Sequence, residues 1–157
     1  MMPTSEAPVR TSPLLAPLAL TGALLALACG GALDDTDDFS AVVDAPALVQ
    51  KGQPFTVTVT ISNSAAEPQV LESLDIADEW LAGVTIQSSS PPYGEAMHVP
   101  IDGTWSYSYQ ETIPAGGSVA VTLQATGVQT GSFRGEVDVC VGGMARFRSY
   151  PLVTTVE

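Results

Sequence analysis

Between Phe55 and Ile61 the chain reads Phe-Thr-Val-Thr-Val-Thr-Ile, so every second side chain is apolar. Successive side chains of an extended chain point to opposite faces. One face therefore carries Phe55, Val57, Val59 and Ile61, and the other carries Thr56, Thr58 and Thr60, which is the pattern of a half-buried strand. The same period recurs in Val119, Val121 and Leu123 against Ser118, Thr122 and Gln124. It recurs again in Phe133, Val137, Val139 and Val141 against Arg134, Glu136 and Asp138, and in Trp105, Tyr107 and Tyr109 against Thr104, Ser106 and Ser108. No stretch of the body carries a long helical period, so long helices are not expected.

Turn chemistry separates these runs at the spacing of an antiparallel sandwich. Lys51-Gly52-Gln53-Pro54 precedes one strand and Asn63-Ser64 follows it; Pro114-Ala115-Gly116-Gly117 and Gly142-Gly143 join later pairs. The reading is an all-β chain in which residues 46–157 form one antiparallel immunoglobulin-like β-sandwich of about seven strands. Neither a second domain nor an internal repeat is visible. The final hairpin allows a register argument: a two-residue loop would mix charged and apolar side chains on one face. An odd loop, Gly142-Gly143-Met144, instead pairs Val139 with Phe147, Asp138 with Arg148 and Cys140 with Arg146. The odd loop is the expectation, with Cys140 on the polar face.

The first 28 residues divide differently. Arg10 supplies positive charge, Leu14 to Leu27 form an apolar stretch too short to span a bilayer, and Pro17 and Gly22 interrupt it. Leu25-Ala26-Leu27-Ala28-Cys29-Gly30-Gly31 resembles the lipobox of bacterial lipoproteins. The resemblance implies cleavage before Cys29, several acyl chains on its sulfur, and an exported protein held to the cell envelope. Gly30 after the cysteine favours the outer membrane where a cell has one. Ala26-Leu27-Ala28 is also an A-x-A site for ordinary signal cleavage, which would give a soluble secreted protein. In that case Cys29 and Cys140, the chain's two cysteines, are free to form a disulfide; an acylated Cys29 leaves Cys140 unpaired.

Residues 29–45 read as the acylated cysteine and an acidic tether, since Gly30-Gly31 and the run Asp34-Asp35-Thr36-Asp37-Asp38 keep a segment solvated. Calcium binding by these aspartates is the sharper alternative, although the run lacks an EF-hand's glycine and distal glutamate. Removing the leader takes away Glu6 and Arg10 together, so the net charge stays at −12. Such a surface repels phosphate backbones and anionic headgroups, which argues against nucleic acid as a partner and leaves lipid on Cys29 as the means of holding a membrane.

Val49 to Val141, especially Gly52-Gln53-Pro54-Phe55-Thr56-Val57-Thr58-Val59, Leu81-Ala82-Gly83-Val84-Thr85 and Ile113-Pro114-Ala115-Gly116-Gly117-Ser118-Val119, is similar to the conserved-repeat and cell-adhesion-related domains of bacterial surface proteins. That resemblance implies a spacer, scaffold or adhesion role, with other envelope proteins or surface polymers as partners and no shared catalytic residues or cofactor.

The residues themselves point the same way. His98 is the only histidine, and no nucleophile elbow, phosphate loop or paired metal-ligand spacing is present, so no catalytic residue and no metal site is assigned. A carboxylate pair drawn from Asp75, Asp78, Glu79 and Asp102 is the one route left to hydrolysis. Met97, His98, Cys140 and Met144 are ligand types that suit copper. Trp105, Tyr107 and Tyr109 would stack on sugar if the row faced outward, although Ile113 continues its parity and places it inward. Trp80 and Tyr93, the latter in Pro91-Pro92-Tyr93-Gly94, complete the candidate partner contacts. The expected role is a non-catalytic binding, adhesion or scaffolding module, with a small-ligand module for carbohydrate, or less favoured copper or calcium, as the alternative.

Overall fold

The computed structural model describes residues 38–143 and 146–157. The signal peptide, Cys29, the aspartates from Asp34 to Asp37, and Met144 lie outside the described residues. Ten strands and one short helix follow in order: β1 (Phe39–Asp44), β2 (Leu48–Val49), β3 (Pro54–Asn63), β4 (Gln69–Ala77), α1 (Asp78–Leu81), β5 (Val84–Ser90), β6 (Ala96–Val99), β7 (Thr104–Ile113), β8 (Ser118–Gly127), β9 (Gly131–Val141) and β10 (Phe147–Val156). No helix among the described residues is long and apolar enough to cross a membrane.

The strands form two sheets, β1-β3-β8-β5 and β2-β10-β9-β4-β7-β6. All pairings are antiparallel except β2 with β10. β1, β3, β4, β5, β8, β9 and β10 occupy the places of the seven strands of an immunoglobulin-like sandwich, and β7 and β6 extend the second sheet as in variable-type domains. The path differs in one respect. After β4 the chain crosses to the edge strand β5 and returns through β6 and β7 before entering β8.

Alternation decides which side chains fill the core. Val57, Val59 and Ile61 of β3, Val121, Leu123 and Ala125 of β8, Leu74 and Ile76 of β4, and Val137, Val139 and Val141 of β9 are all buried between the sheets. Trp80 of α1 closes one end of this core, fully buried, with its indole N–H donating to Thr154 Oγ1 at 3.2 Å.

Two sequence expectations need correction. The segment to residue 45 was expected to be tether, yet Phe39–Asp44 is a strand in register with β3, from Phe39 opposite Asn63 to Asp44 opposite Thr58. Its own alternation of Phe39, Ala41 and Val43 with Ser40, Val42 and Asp44 drives this, and Phe39 is buried between the sheets. The β9–β10 register is the second. Cys140 faces Phe147, Val139 faces Arg148 and Asp138 faces Ser149, with Val141 and Arg146 closing an even, four-residue loop. The odd loop assumed that Phe147 belongs inside. Leu152, Thr154 and Val156 are the buried residues of β10 instead, and their parity puts Phe147 outside and Arg148 inside. Arg148 is accommodated there by lying over the Phe39 ring, 5.3 Å from its centroid.

Candidate functional site

β7 carries Trp105 and Tyr107 on one face, about 7 Å apart along the strand. Across the β6–β7 ladder Trp105 faces His98 and Tyr107 faces Ala96. Histidine against tryptophan gives a stacked pair with centroids 5.3 Å apart and planes at 28°. Alanine against tyrosine leaves space, because a methyl group covers little of the ring. Tyr93 stands at the side of that space and meets Tyr107 edge to face, centroids 5.2 Å apart at 70°.

The placement of Tyr93 is fixed locally. Its N–H donates to Ser89 Oγ at 3.0 Å, and the same hydroxyl donates to the Pro91 carbonyl at 2.7 Å. Beyond it, Gly94 N–H donates to the Ser108 carbonyl, Ser108 N–H to the Glu95 carbonyl, and Glu95 N–H to Ser108 Oγ. These bonds hold the β5–β6 connection against β7.

The result is a half-open cleft between the two edge strands, β5 of one sheet and β6 of the other, with a volume of about 360 Å³. Tyr93, Trp105 and Tyr107 supply aromatic surface, while Leu81, Val84, Ile86 and Ala96 supply aliphatic surface and Thr85 a hydroxyl. No lysine or arginine lines it. His98 Nε2 and Asp78 Oδ2 are 2.9 Å apart on the far side of Trp105, both about 40 % exposed. Asp78 is held near β6 because its N–H donates to the carbonyl of Gly103 in the β6–β7 turn. Burial, followed by the neighbouring Tyr93 and Tyr109 rings, pushes the Tyr107 hydroxyl up to about 12, so Tyr107 presents a neutral phenol at physiological pH.

Of the five aromatic residues singled out in the sequence, the structure brings Tyr93, Trp105 and Tyr107 to one cavity. Trp80 and Tyr109 lie outside that cavity and are core residues, with 0 % and 2 % of their surface accessible. With Tyr107 also only 7 % exposed, Trp105, Tyr107 and Tyr109 do not form an outward row on which a sugar could stack. Leu81, Val84 and Ile86 were missed as site residues. Their parity marked them only as apolar, and the crossing of the chain from β4 to β5 that brings them opposite β7 leaves no local signature.

The other candidate groups do not converge. Among the described residues no three His, Cys, Asp or Glu side chains gather as for a metal ion. His98 stands on β6 and Cys140 on β9, with β7 and β4 between them. Asp38, at the end of the acidic run, is bound to Arg146 and accepts a 2.9 Å hydrogen bond from Gln69 Nε2. Cys140 is a buried free thiol on the outer face of β9, its Sγ 3.6 Å from Asp75 Oδ2 rather than beside Arg146. Exposed apolar side chains occur on the outer face of β10 and on its neighbour β2, namely Phe147, Val153 and Leu48.

No family model matches this chain, and no curated protein matches it. Among solved structures it is similar to the CARDB domain of a Pyrococcus furiosus protein, solved with two metal ions, at 13 % identity and a TM-score of 0.48, over 76 % of this chain and 88 % of that one. It is similar also to CaCohA2 from Clostridium acetobutylicum at 15 % identity and a TM-score of 0.48, over 75 % of this chain and 90 % of that one. The α2-macroglobulin of E. coli matches at 16 % identity and a TM-score of 0.45, over 76 % of this chain, which spans 7 % of that protein's length.

Proposed function

We propose that this protein is a non-catalytic binding module carried at the cell envelope by lipid on Cys29, and that the cleft between β5 and the β6–β7 hairpin is where it binds. The observation that carries the reading is the convergence of Tyr93, Trp105 and Tyr107 on one cavity of about 360 Å³, within the size range of small-molecule pockets, about 300–1,000 Å³. Such a cavity rewards an apolar group, because burying its surface releases water from four aliphatic side chains and three rings. The bonds that fix Tyr93 and the β6–β7 hairpin leave the cavity formed before anything enters it, which lowers the ordering cost of binding.

A neutral hydrophobic dye such as Nile red tests the reading. It should saturate at one site per chain, and Trp105→Ala should weaken it about tenfold, the loss typical of one well-packed aromatic contact. Trp105 is 38 % exposed, so its removal leaves the core intact. Absence of saturable binding, or binding indifferent to Trp105→Ala, would contradict the proposal.

A further inference from the structure

Resting on the cleft as the binding site, we infer that its ligand is a small organic cation, an ammonium centre carrying alkyl groups. Three aromatic residues line the cavity, and the face of an aromatic ring carries negative potential that attracts a cation. An alkylated ammonium spreads its charge over carbon, so it can shed water and enter between rings where a bare ammonium or a metal ion would not. Val84, Ile86 and Leu81 receive the alkyl groups on the opposite wall.

The electrostatics select the sign. The described cations are Lys51, Arg134, Arg146 and Arg148, and none lines the cavity. Arg146 and Arg148 are both drawn to the Phe39 ring. The Asp78 carboxylate flanks the Trp105 side of the mouth through His98, and the whole chain carries −12. A cleft so placed concentrates cations and repels anions. A sugar fits less well, because its hydroxyls need several fixed partners, and the side chains of the lining provide only the Thr85 and tyrosine hydroxyls and the Trp105 indole N–H.

The test compares choline with 3,3-dimethyl-1-butanol, its neutral isostere, by calorimetry and tryptophan fluorescence on the full chain. Choline should bind about tenfold more tightly than the isostere, as expected for a partly desolvated cation over aromatic faces. Trp105→Leu should remove that preference while circular dichroism stays unchanged, and raising the salt concentration should weaken choline but not the isostere. Equal binding of the two compounds would overturn the cation assignment and leave the cleft as an apolar site. Failure of both to saturate would overturn the cation assignment and count against the cleft itself.

Discussion

Cys140 sits on the outward-facing side of β9, yet only 2 % of it is accessible, because Ser73 and Asp75 of β4 lie beside it. Burial pushes its thiol up to about 12; the neighbouring Ser73 hydroxyl opposes the rise, and the Asp75 and Asp138 carboxylates add to it. A thiol held protonated is a poor nucleophile. Cys140 should therefore be inert to a disulfide-exchange reagent such as DTNB in the native protein at pH 8 and react fully in urea; rapid native reaction would show an open site. The same shift ties stability to pH. The folded thiol keeps its proton to about 12 and the unfolded one releases it near 9.0. Stability is thus fully present below pH 9 and is lost as pH rises toward 12, and Cys140→Ala should flatten that part of the urea-unfolding profile. Tyr107, raised from 10.0 to about 12, acts in the same direction above pH 10. Strand parity in the sequence was enough to put Cys140 on the outer face. The β4 residues covering it were not legible, because nothing local says that β4 is the neighbour of β9 or that a bulge between Leu71 and Ser73 shifts its register.

At the level of elements, glycine lets several of them approach closely. Gly83, between α1 and β5, has no room for a side chain: a Cβ there would lie 2.1 Å from Phe133 Cδ2 and Cε2 and 2.4 Å from its Cγ. Gly135 of β9 likewise admits Ala77 and Trp80, whose Cβ atoms would be 2.9 and 3.1 Å from an added methyl. Gly83→Ala should therefore destabilise the domain by about 1–3 kcal/mol in urea unfolding, the usual cost of overpacking. Phe133→Leu in the same chain should recover part of that loss, and strict additivity of the two changes would contradict the contact. Strand interiors were legible from alternation alone: the inward faces of β3, β8 and β9 are those the sequence marked. β1 was hidden because its alternation begins directly after four aspartates, so the charge run masked the start of the period. The phase of β10 was read from Phe147, at its loop end, when Leu152 and Val156 at the far end were the buried residues. Pro151, exposed and opposite Glu136, fits the same phase. β2 pairs with β10 only at Thr155 and Val156, so this part of β10 is an edge, where a missing N–H is tolerated.

For the whole molecule, the arrangement of strands assigns the cleft its place. Routing the chain from β4 to β5 and back through β6 and β7 leaves two edge strands facing each other, and their separation is the cavity. With β1 beginning at Phe39, the expected tether shortens to residues 29–38. Its domain end is fixed: Asp38 pairs with Arg146, Ser64 N–H donates to the Asp38 carbonyl at 2.7 Å, and Ala41 N–H donates to the Tyr150 hydroxyl at 2.7 Å. A load applied through the tether would reach β1 at this clamp and the β1–β3 ladder behind it. What the cleft meets depends on where the chain is held, and in the proposed reading lipid on Cys29 would decide it. The direct measurement is mass spectrometry of the membrane fraction from cells making the wild-type chain and Cys29→Ser. The account predicts wild type in the membrane, beginning at Cys29 and heavier by several acyl chains, with Cys29→Ser shifted out of that fraction. Wild type found soluble with an unmodified Cys29 would contradict it.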